Sequence, residues 1–284
     1  MRRTISFIMA MLMLISAISF TACSNVDATR DLEKIKEDGV LKVGMECNYA
    51  PFNWTQATKS ETSVPISNSS GYADGYDVQI AKKVADALGV KLEIVKLEWK
   101  GLVPALQSGK IDMVIAGMSP TEERKKTIDF SDEYYTSELV VVIKKGSEYE
   151  NATSINDFSG AEITGQQDTF HYSVIDQMQG VTKKTALADF PTMIVSLQNG
   201  AIDGYISELP GAVSAVESNR DLTYVSFESG KGFEASPEDV AIAVGVRKGS
   251  SLTEEINKVL ATVTKEDRAD LMDFAIANQP VVEE

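Results

Sequence analysis

Two stretches of this chain repeat one another. Leu106-Gln107-Ser108-Gly109-Lys110-Ile111-Asp112 is matched by Leu197-Gln198-Asn199-Gly200-Ala201-Ile202-Asp203. Each reads as a helix end, a glycine stop and a buried strand starting at Ile-Asp, because glycine takes the left-handed conformation that closes a helix. The surroundings of the first copy alternate in the same way. Leu41-Lys42-Val43-Gly44 is a short strand, and Val78, Ala81, Val84, Ala85 and Leu88 recur at helical spacing ahead of Gly89. Leu92, Ile94 and Leu97 lie in the next strand, Leu102, Val103 and Leu106 line a short helix, and residues 111–116 are almost continuously apolar. Apolar strands separated by helices indicate a parallel sheet covered on both faces. Two equivalent units then predict an α/β fold of two similar lobes; a single doubly wound domain with one recurring unit is the alternative.

Val140-Val141-Val142-Ile143 and Val240-Ala241-Ile242-Ala243-Val244 are extended segments, each followed by a basic turn ending in Gly-Ser. Read as crossings between lobes, they make the second lobe an insertion in the first. Residues 31–139 and 241–284 form one lobe in this reading, and 140–240 the other. Ile256, Val259, Leu260 and Val263 share a helical face that returns to the first lobe. The Ser/Thr-rich residues 55–70 follow neither period and read as a surface loop or irregular hairpin.

Residues 1–22 read as an address. Arg2 and Arg3 precede an apolar run too short for a comfortable membrane span, and Phe20-Thr21-Ala22-Cys23 resembles a lipobox, with Phe where Leu is usual. Lipidation of Cys23 would tether the mature chain through residues 23–30 with no spanning helix; an ordinary signal peptide with an incidental cysteine is the alternative. Cys47 is then the one remaining thiol, which excludes an intrachain disulfide and a cysteine-based metal site. The single histidine, His171, argues against zinc, and no cofactor is expected. A formal charge of −15 argues against nucleic acid and fits an extracytoplasmic domain.

In open parallel sheets ligands sit beyond the carboxyl ends of the strands. Three such places carry suitable residues. Ser119 and Glu122 fit a capping box, so a helical turn should begin there and, with Arg124, accept a carboxylate. Thr169 stands between a strand and a helix bearing Val174, Ile175 and Met178, where backbone N–H groups would make a second carboxylate contact. Glu208 follows a strand over residues 203–207 and is placed to meet an ammonium. Taken singly, Arg124 and Glu208 read equally as surface charges and Thr169 as a plain N-cap.

Tyr49-Ala50-Pro51-Phe52, Gly75-Tyr76-Asp77-Val78, Trp99-Lys100-Gly101-Leu102-Val103-Pro104-Ala105-Leu106, the segment from Ser119 to Arg124 and Asp129-Phe130-Ser131-Asp132 follow Gly39-Val40-Leu41-Lys42-Val43-Gly44 in order. Together they resemble the extracellular solute-binding proteins of polar and cationic amino-acid ABC importers, over essentially the whole mature chain. The resemblance implies two lobes of the type II periplasmic-binding-protein-like fold, joined by two hinge strands. It implies that Arg124, Ser119 and Thr169 hold a ligand carboxylate, and that Glu208 and the Gly117 carbonyl hold its ammonium. Glu208 departs from the Asp usual in the family by one methylene. Tyr49 and Trp99 match aromatic positions flanking the ligand side chain, Glu46 an acidic position at its end, and Trp54 is a further candidate wall.

An aromatic stem contact with a terminal carboxylate suits Arg, Lys or ornithine, with Gln or cystine as the alternative. The expected partners are a free amino acid, an ABC permease with its ATPase subunit, and the membrane through a lipid anchor, the protein itself being a monomer. Two other classes stand beside this: a cyclohexadienyl dehydratase-like lyase using Glu46 or Glu208 as general acid, and a sensor ectodomain.

Overall fold

The computed structural model describes residues 27–280; the leader and Cys23 lie outside them. Two five-stranded sheets and one four-stranded sheet carry the chain. The first is ordered β6-β1-β7-β14-β8, with β1 Val40–Met45, β6 Lys91–Lys96, β7 Met113–Val114, β8 Ile128–Thr136 and β14 Ala241–Arg247. Its β6, β1 and β7 run parallel, and β14 runs antiparallel to both its neighbours. The second is ordered β11-β10-β12-β9-β13, with β9 Leu139–Lys144, β10 Glu162–Thr164, β11 Thr182–Lys183, β12 Gly204–Glu208 and β13 Leu222–Val225. Each sheet is the centre of one α/β lobe.

The sequence repeat is a structural repeat. Helix Trp99–Gln107 and helix Phe190–Gln198 end alike: the Gly109 N–H donates to Leu106 O at 3.1 Å and the Gly200 N–H to Leu197 O at 3.0 Å. Both glycines are left-handed, at φ +74° and +72°. The aspartates that follow do the same work. Asp112 Oδ2 accepts the Lys42 N–H of β1 at 2.8 Å, and Asp203 Oδ2 accepts the Glu162 N–H of β10 at 2.8 Å. Ile111 and Ile202 are buried beside them. A short apolar segment thus enters each sheet at a register fixed by a carboxylate gripping the neighbouring strand.

The chain passes from β8 to β9 through Ser137 and Glu138, and returns through helix Pro237–Val240 into β14. The Ser137 N–H donates to Val240 O at 3.1 Å, so the two passages run side by side. The extended segments read as crossings are themselves sheet strands; the passages are the residues just before them. Residues 55–70 belong to an irregular hairpin arm. β3 Asn53–Gln56 and β4 Val64–Pro65 both pair with β5 Tyr72–Asp74, and β2 Asn48–Tyr49 completes that small sheet. Ser60 and Thr62 hydroxyls each donate to Asp74 Oδ2 at 2.7 Å and hold the arm down.

A buried ion pair closes the first lobe. Arg247, at the end of β14, donates to Asp31 at 2.8, 3.1 and 3.2 Å and to the Ile111 carbonyl at 2.7 Å. Ser250 adds a hydroxyl to Asp31 at 2.6 Å. Helix Leu252–Leu260 buries Leu252, Ile256 and Leu260 in the core of this lobe. Helix Lys265–Asn278 then leads to Gln279, whose amide donates to the Ser214 carbonyl in helix Leu209–Ser218 of the second lobe. No helix among the described residues is long and apolar enough to cross a membrane.

Candidate functional site

The ends of β1, β7, β10 and β12 face one another across the gap between the sheets. Residues immediately beyond them close a tight cavity of about 20 Å³, lined by Tyr49, Trp99, Gly117, Ser119 and Arg124 from the first lobe and by Gln166, Thr169, Phe170, His171 and Glu208 from the second. A larger hollow beside Phe130 and Pro237 lies outside the cleft. It is open to solvent and is not lined by the buried, unpartnered polar atoms of the cleft.

Gly117 lies just beyond β7 at φ +61°, where a Cβ would stand 2.8 Å from the Tyr49 ring. Glycine is required there twice over, for its backbone and for its bareness. Beneath it lies Asp77, fully buried, accepting the Tyr134 hydroxyl at 2.7 Å and the Asn53 amide at 2.8 Å. Burial pushes Asp77 up to about 6, against those bonds and the Gly117 N–H.

The capping residue of the turn that carries Arg124 is Thr121, not Ser119 as expected. Thr121 Oγ1 accepts the Arg124 N–H at 3.4 Å, and the helix runs Glu122–Lys125. The turn begins two residues later than the spacing predicts, with Thr121 extended at φ −60°, ψ 152° as its cap, so Ser119 stands outside it. Ser119 still lines the cavity, and its carbonyl accepts Arg124 Nη1 at 2.9 Å. Arg124 Nη2 donates across the cleft to Asp168 O at 3.2 Å, and the guanidinium lies 4.9 Å over the Trp99 ring. Trp99 Nε1 donates to the same Asp168 carbonyl at 3.3 Å. Desolvation lowers Arg124 to about 10, so it remains a cation at neutral pH.

Thr169 occupies the N-cap position of the short helix Phe170–Ser173, but its hydroxyl makes no cap. It donates instead to Gln166 O at 2.7 Å and tightens the loop after β10. Glu208 is the last residue of β12, one position further into the strand than the sequence suggests, and is 4% exposed. Its Oε1 lies 3.1 Å from His171 Nε2, and its Oε2 has no protein partner. Burial pushes Glu208 up to about 8 and His171 down to about 4.

Tyr49 stacks on Phe190 of the opposite lobe, with ring centroids 4.2 Å apart. Glu46, just past β1, is buried and faces an adjoining chamber of about 270 Å³ that shares Trp99 as a wall. That chamber also holds Glu98, Asp168 and Asp189, with Lys100 as its single cation. Burial pushes Glu46 up to about 7, although Gln166 opposes the shift. The structure therefore gathers Arg124, Ser119, Thr169, Glu208, Gly117, Tyr49 and Trp99 around one cavity, and sets Glu46 next to it. Trp54 is not brought to the cleft. It is 4% exposed in the core and bonds Gln56 through Nε1 at 2.9 Å, because β3 pairs it with β2 and β5. Gln166, Phe170 and His171 are cavity residues the sequence reading missed. Thr164-Gly165-Gln166 preceding Thr169 was the available signal for the first; nothing local marked His171.

Zwitterion chemistry fits this cavity: a guanidinium from one lobe, a carboxylate from the other, aromatic walls between them. Among the described residues no cluster of three or more His, Cys, Asp or Glu stands ready to hold a metal. A profile of the bacterial extracellular solute-binding proteins, family 3, matches residues 41–273. The L-cystine-binding protein TcyJ of Escherichia coli (strain K12) is 30% identical over 260 residues, covering 90% of each chain. The arginine-binding extracellular protein ArtP of Bacillus subtilis (strain 168) is 28% identical over 271 residues, covering 92% of this chain and 93% of ArtP. An L-arginine-bound substrate-binding protein of an amino acid ABC transporter from Streptococcus pneumoniae superposes with a TM-score of 0.77 at 29% identity, over 88% of this chain and 99% of the other. These relatives are binding proteins and not enzymes. The chain belongs to the bacterial extracellular solute-binding proteins, family 3.

Proposed function

We propose that this protein captures a free amino acid for an ABC importer by closing its lobes around it, and that the ligand is cationic: arginine, lysine or ornithine. The observation that carries the reading is the placement of Arg124 and Glu208 on opposite lobes of one buried cavity. A ligand carboxylate would bind Arg124 with Ser119 and the Thr169 loop; its ammonium would bind Glu208 and the Gly117 carbonyl. Contacts from both lobes form together only when the cleft is shut, so binding favours closure. The side chain would pass Tyr49 and Trp99 toward Glu46, and the acids around Glu46 favour a positive end. A permease and its ATPase subunit would receive the closed form.

Calorimetric titration of ligand-stripped protein with the twenty amino acids, ornithine and cystine tests this. Saturable binding of Arg, Lys or ornithine, lost in Arg124→Ala, is the expected result; binding of neutral ligands alone would remove the role given to Glu46. Cystine is the second reading, favoured by Trp99 walling both compartments, since a ligand with two amino-acid heads would span them. For the membrane tether, Cys23 is the proposed lipid site. Radiolabelled palmitate should enter the full-length chain and not Cys23→Ala, and label in both would refute it.

A further inference from the structure

Gly75-Tyr76-Asp77-Val78 is a segment of the family resemblance that the cleft leaves unused. Asp77 stands in the first turn of the helix Tyr76–Leu88, where a carboxylate meets the positive end of the helix, and it is fully buried. Both of its oxygens are taken. Oδ1 accepts the Tyr134 hydroxyl at 2.7 Å, and Oδ2 accepts the Asn53 side-chain amide at 2.8 Å. Asn53, also fully buried, passes the contact on, since its Oδ1 accepts the Cys47 N–H at 2.7 Å. The Cys47 carbonyl accepts the Thr55 hydroxyl at 2.8 Å, and Lys96 Nζ donates to that hydroxyl at 2.9 Å. Side chains therefore hold both backbone polar groups of Cys47.

Cys47 has a left-handed backbone, at φ +55°, a conformation that only Asp168 shares with it outside glycine among the described residues. That conformation crowds a Cβ and is uncommon for a residue of this type. It falls at a corner. β1 ends at Met45 in a large sheet, and β2 begins at Asn48 in the small one. Glu46 and Asn48, on either side of Cys47, both line the acidic chamber, and Tyr49 follows on the cavity wall. Resting on the reading of Glu46 as the acid that meets the ligand side chain, we infer that Asn53 and Asp77 are positioning residues for ligand choice: they hold Cys47 in its left-handed turn and so set Glu46 on the chamber wall.

An amide is the side chain such a relay needs, because one end accepts from Cys47 while the other donates to Asp77. Its partners also fix its orientation: a backbone N–H only donates, and an ionised carboxylate only accepts. Alanine at position 53 would leave the Cys47 N–H and one Asp77 oxygen without these partners, and the corner would lose what holds its turn. Neither Asn53 nor Asp77 lines the cavity or the chamber. A change of ligand preference on replacing them would therefore travel through the corner they hold, and not through contact with the ligand.

The probes are L-arginine and L-glutamine, titrated calorimetrically at pH 7.5, above the Asp77 value of about 6, into ligand-stripped protein. The quantity read is the ratio of the two Kd values. Glu46→Gln should lower the preference for arginine about tenfold, and Asn53→Ala should do the same, with both probes still bound through Arg124. Cys47→Gly added to Asn53→Ala should restore the ratio, because glycine takes the left-handed turn unaided. Asn53→Asp combined with Asp77→Asn should keep it as well. Position 77 then still accepts from Tyr134 and donates to position 53, which still accepts from Cys47. A folded Asn53→Ala that keeps the parent ratio while Glu46→Gln shifts it overturns this inference and leaves the Glu46 reading standing, as does a shift that Cys47→Gly fails to reverse. A ratio unmoved by Glu46→Gln, or a parent that binds neither probe, removes both. If Asn53→Ala does not fold, the double exchange decides: the parent ratio upholds the relay, and a shifted ratio or an unfolded chain overturns it.

Discussion

Gln166 Nε2 reaches across the cleft and donates to both carboxylate oxygens of Glu46, at 3.1 and 3.2 Å. The same nitrogen donates to Ala188 O at 3.1 Å, so one amide pins a loop of its own lobe to a buried acid of the other. Gln166→Leu leaves that acid without this donor. We expect the ligand-free protein to open, with a larger radius of gyration by X-ray scattering, and affinity to fall about tenfold. The Glu46 carboxyl should titrate above its present value of about 7, because Gln166 now lowers it; a ¹³C-carboxyl titration reads this.

Arg124 bonds only carbonyls in the protein, at Ser119 and Asp168. Its replacement should therefore remove binding and spare the fold. Arg124→Ala is expected to weaken the ligand by about a hundredfold or more, at 1.5–3 kcal/mol for each charged hydrogen bond. Arg124→Lys should recover only part of that, since an ammonium cannot make the paired planar contact. Calorimetry gives the first quantity, and a thermal melt within about 2 °C of the parent gives the second.

The chain's two tryptophans are separated by function. Trp99→Ala removes the face under Arg124 and the bond to Asp168, and should cost about tenfold in affinity. Trp54→Phe should leave affinity unchanged and lower the melting temperature. In that variant Trp99 is the sole indole, so its emission should report ligand binding directly.

The Asp31–Arg247 pair is buried on both sides, at 2% and 5% exposure. Asp31→Ala leaves the buried Arg247 guanidinium with Asp112, at 3.6 Å, as its carboxylate partner and should destabilise the protein by about 3 kcal/mol in urea unfolding. Exchanging both for apolar residues of similar volume should cost much less.

Three buried acids, Asp77, Glu46 and Glu208, have folded values raised to about 6, 7 and 8. Each binds its proton more tightly folded than unfolded, so the stabilisation is complete below the unfolded value near 4 and is lost as pH rises through the folded one. The ligand-free protein should melt higher at pH 5 than at pH 8.5. Glu208→Gln should flatten the upper part of that slope, and a melting temperature that rises from pH 5 to 8.5 would contradict the assignment.

The two-lobed layout was legible because helix end, glycine and Ile-Asp strand were written twice, and Asp112 and Asp203 prove to make the same bond. Arg124 and Glu208 were legible only through their place after strand ends, and most of the cavity wall came from resemblance. The Ser119 cap failed because Thr121, two residues on, offers an equivalent hydroxyl, and the spacing alone does not say which of the two the turn uses. Trp54 failed because strand pairing, which is not local, turned it inward. His171 and Gln166 stayed hidden for the same cause: each matters through a partner far away in sequence, Gln166 through Glu46 and His171 through the cavity.

The order β6-β1-β7-β14-β8 has a consequence for how the chain is made. β8 has β14 as its one neighbour in that sheet, and β14 is synthesised more than a hundred residues later. The second sheet, by contrast, is complete once β13 has emerged. A chain threaded through an export channel from its amino end would therefore present a finished second lobe while the first still lacks a central strand. Nascent β8 is an open edge over that interval, which makes it the segment where chaperones of the secretory route have most to protect.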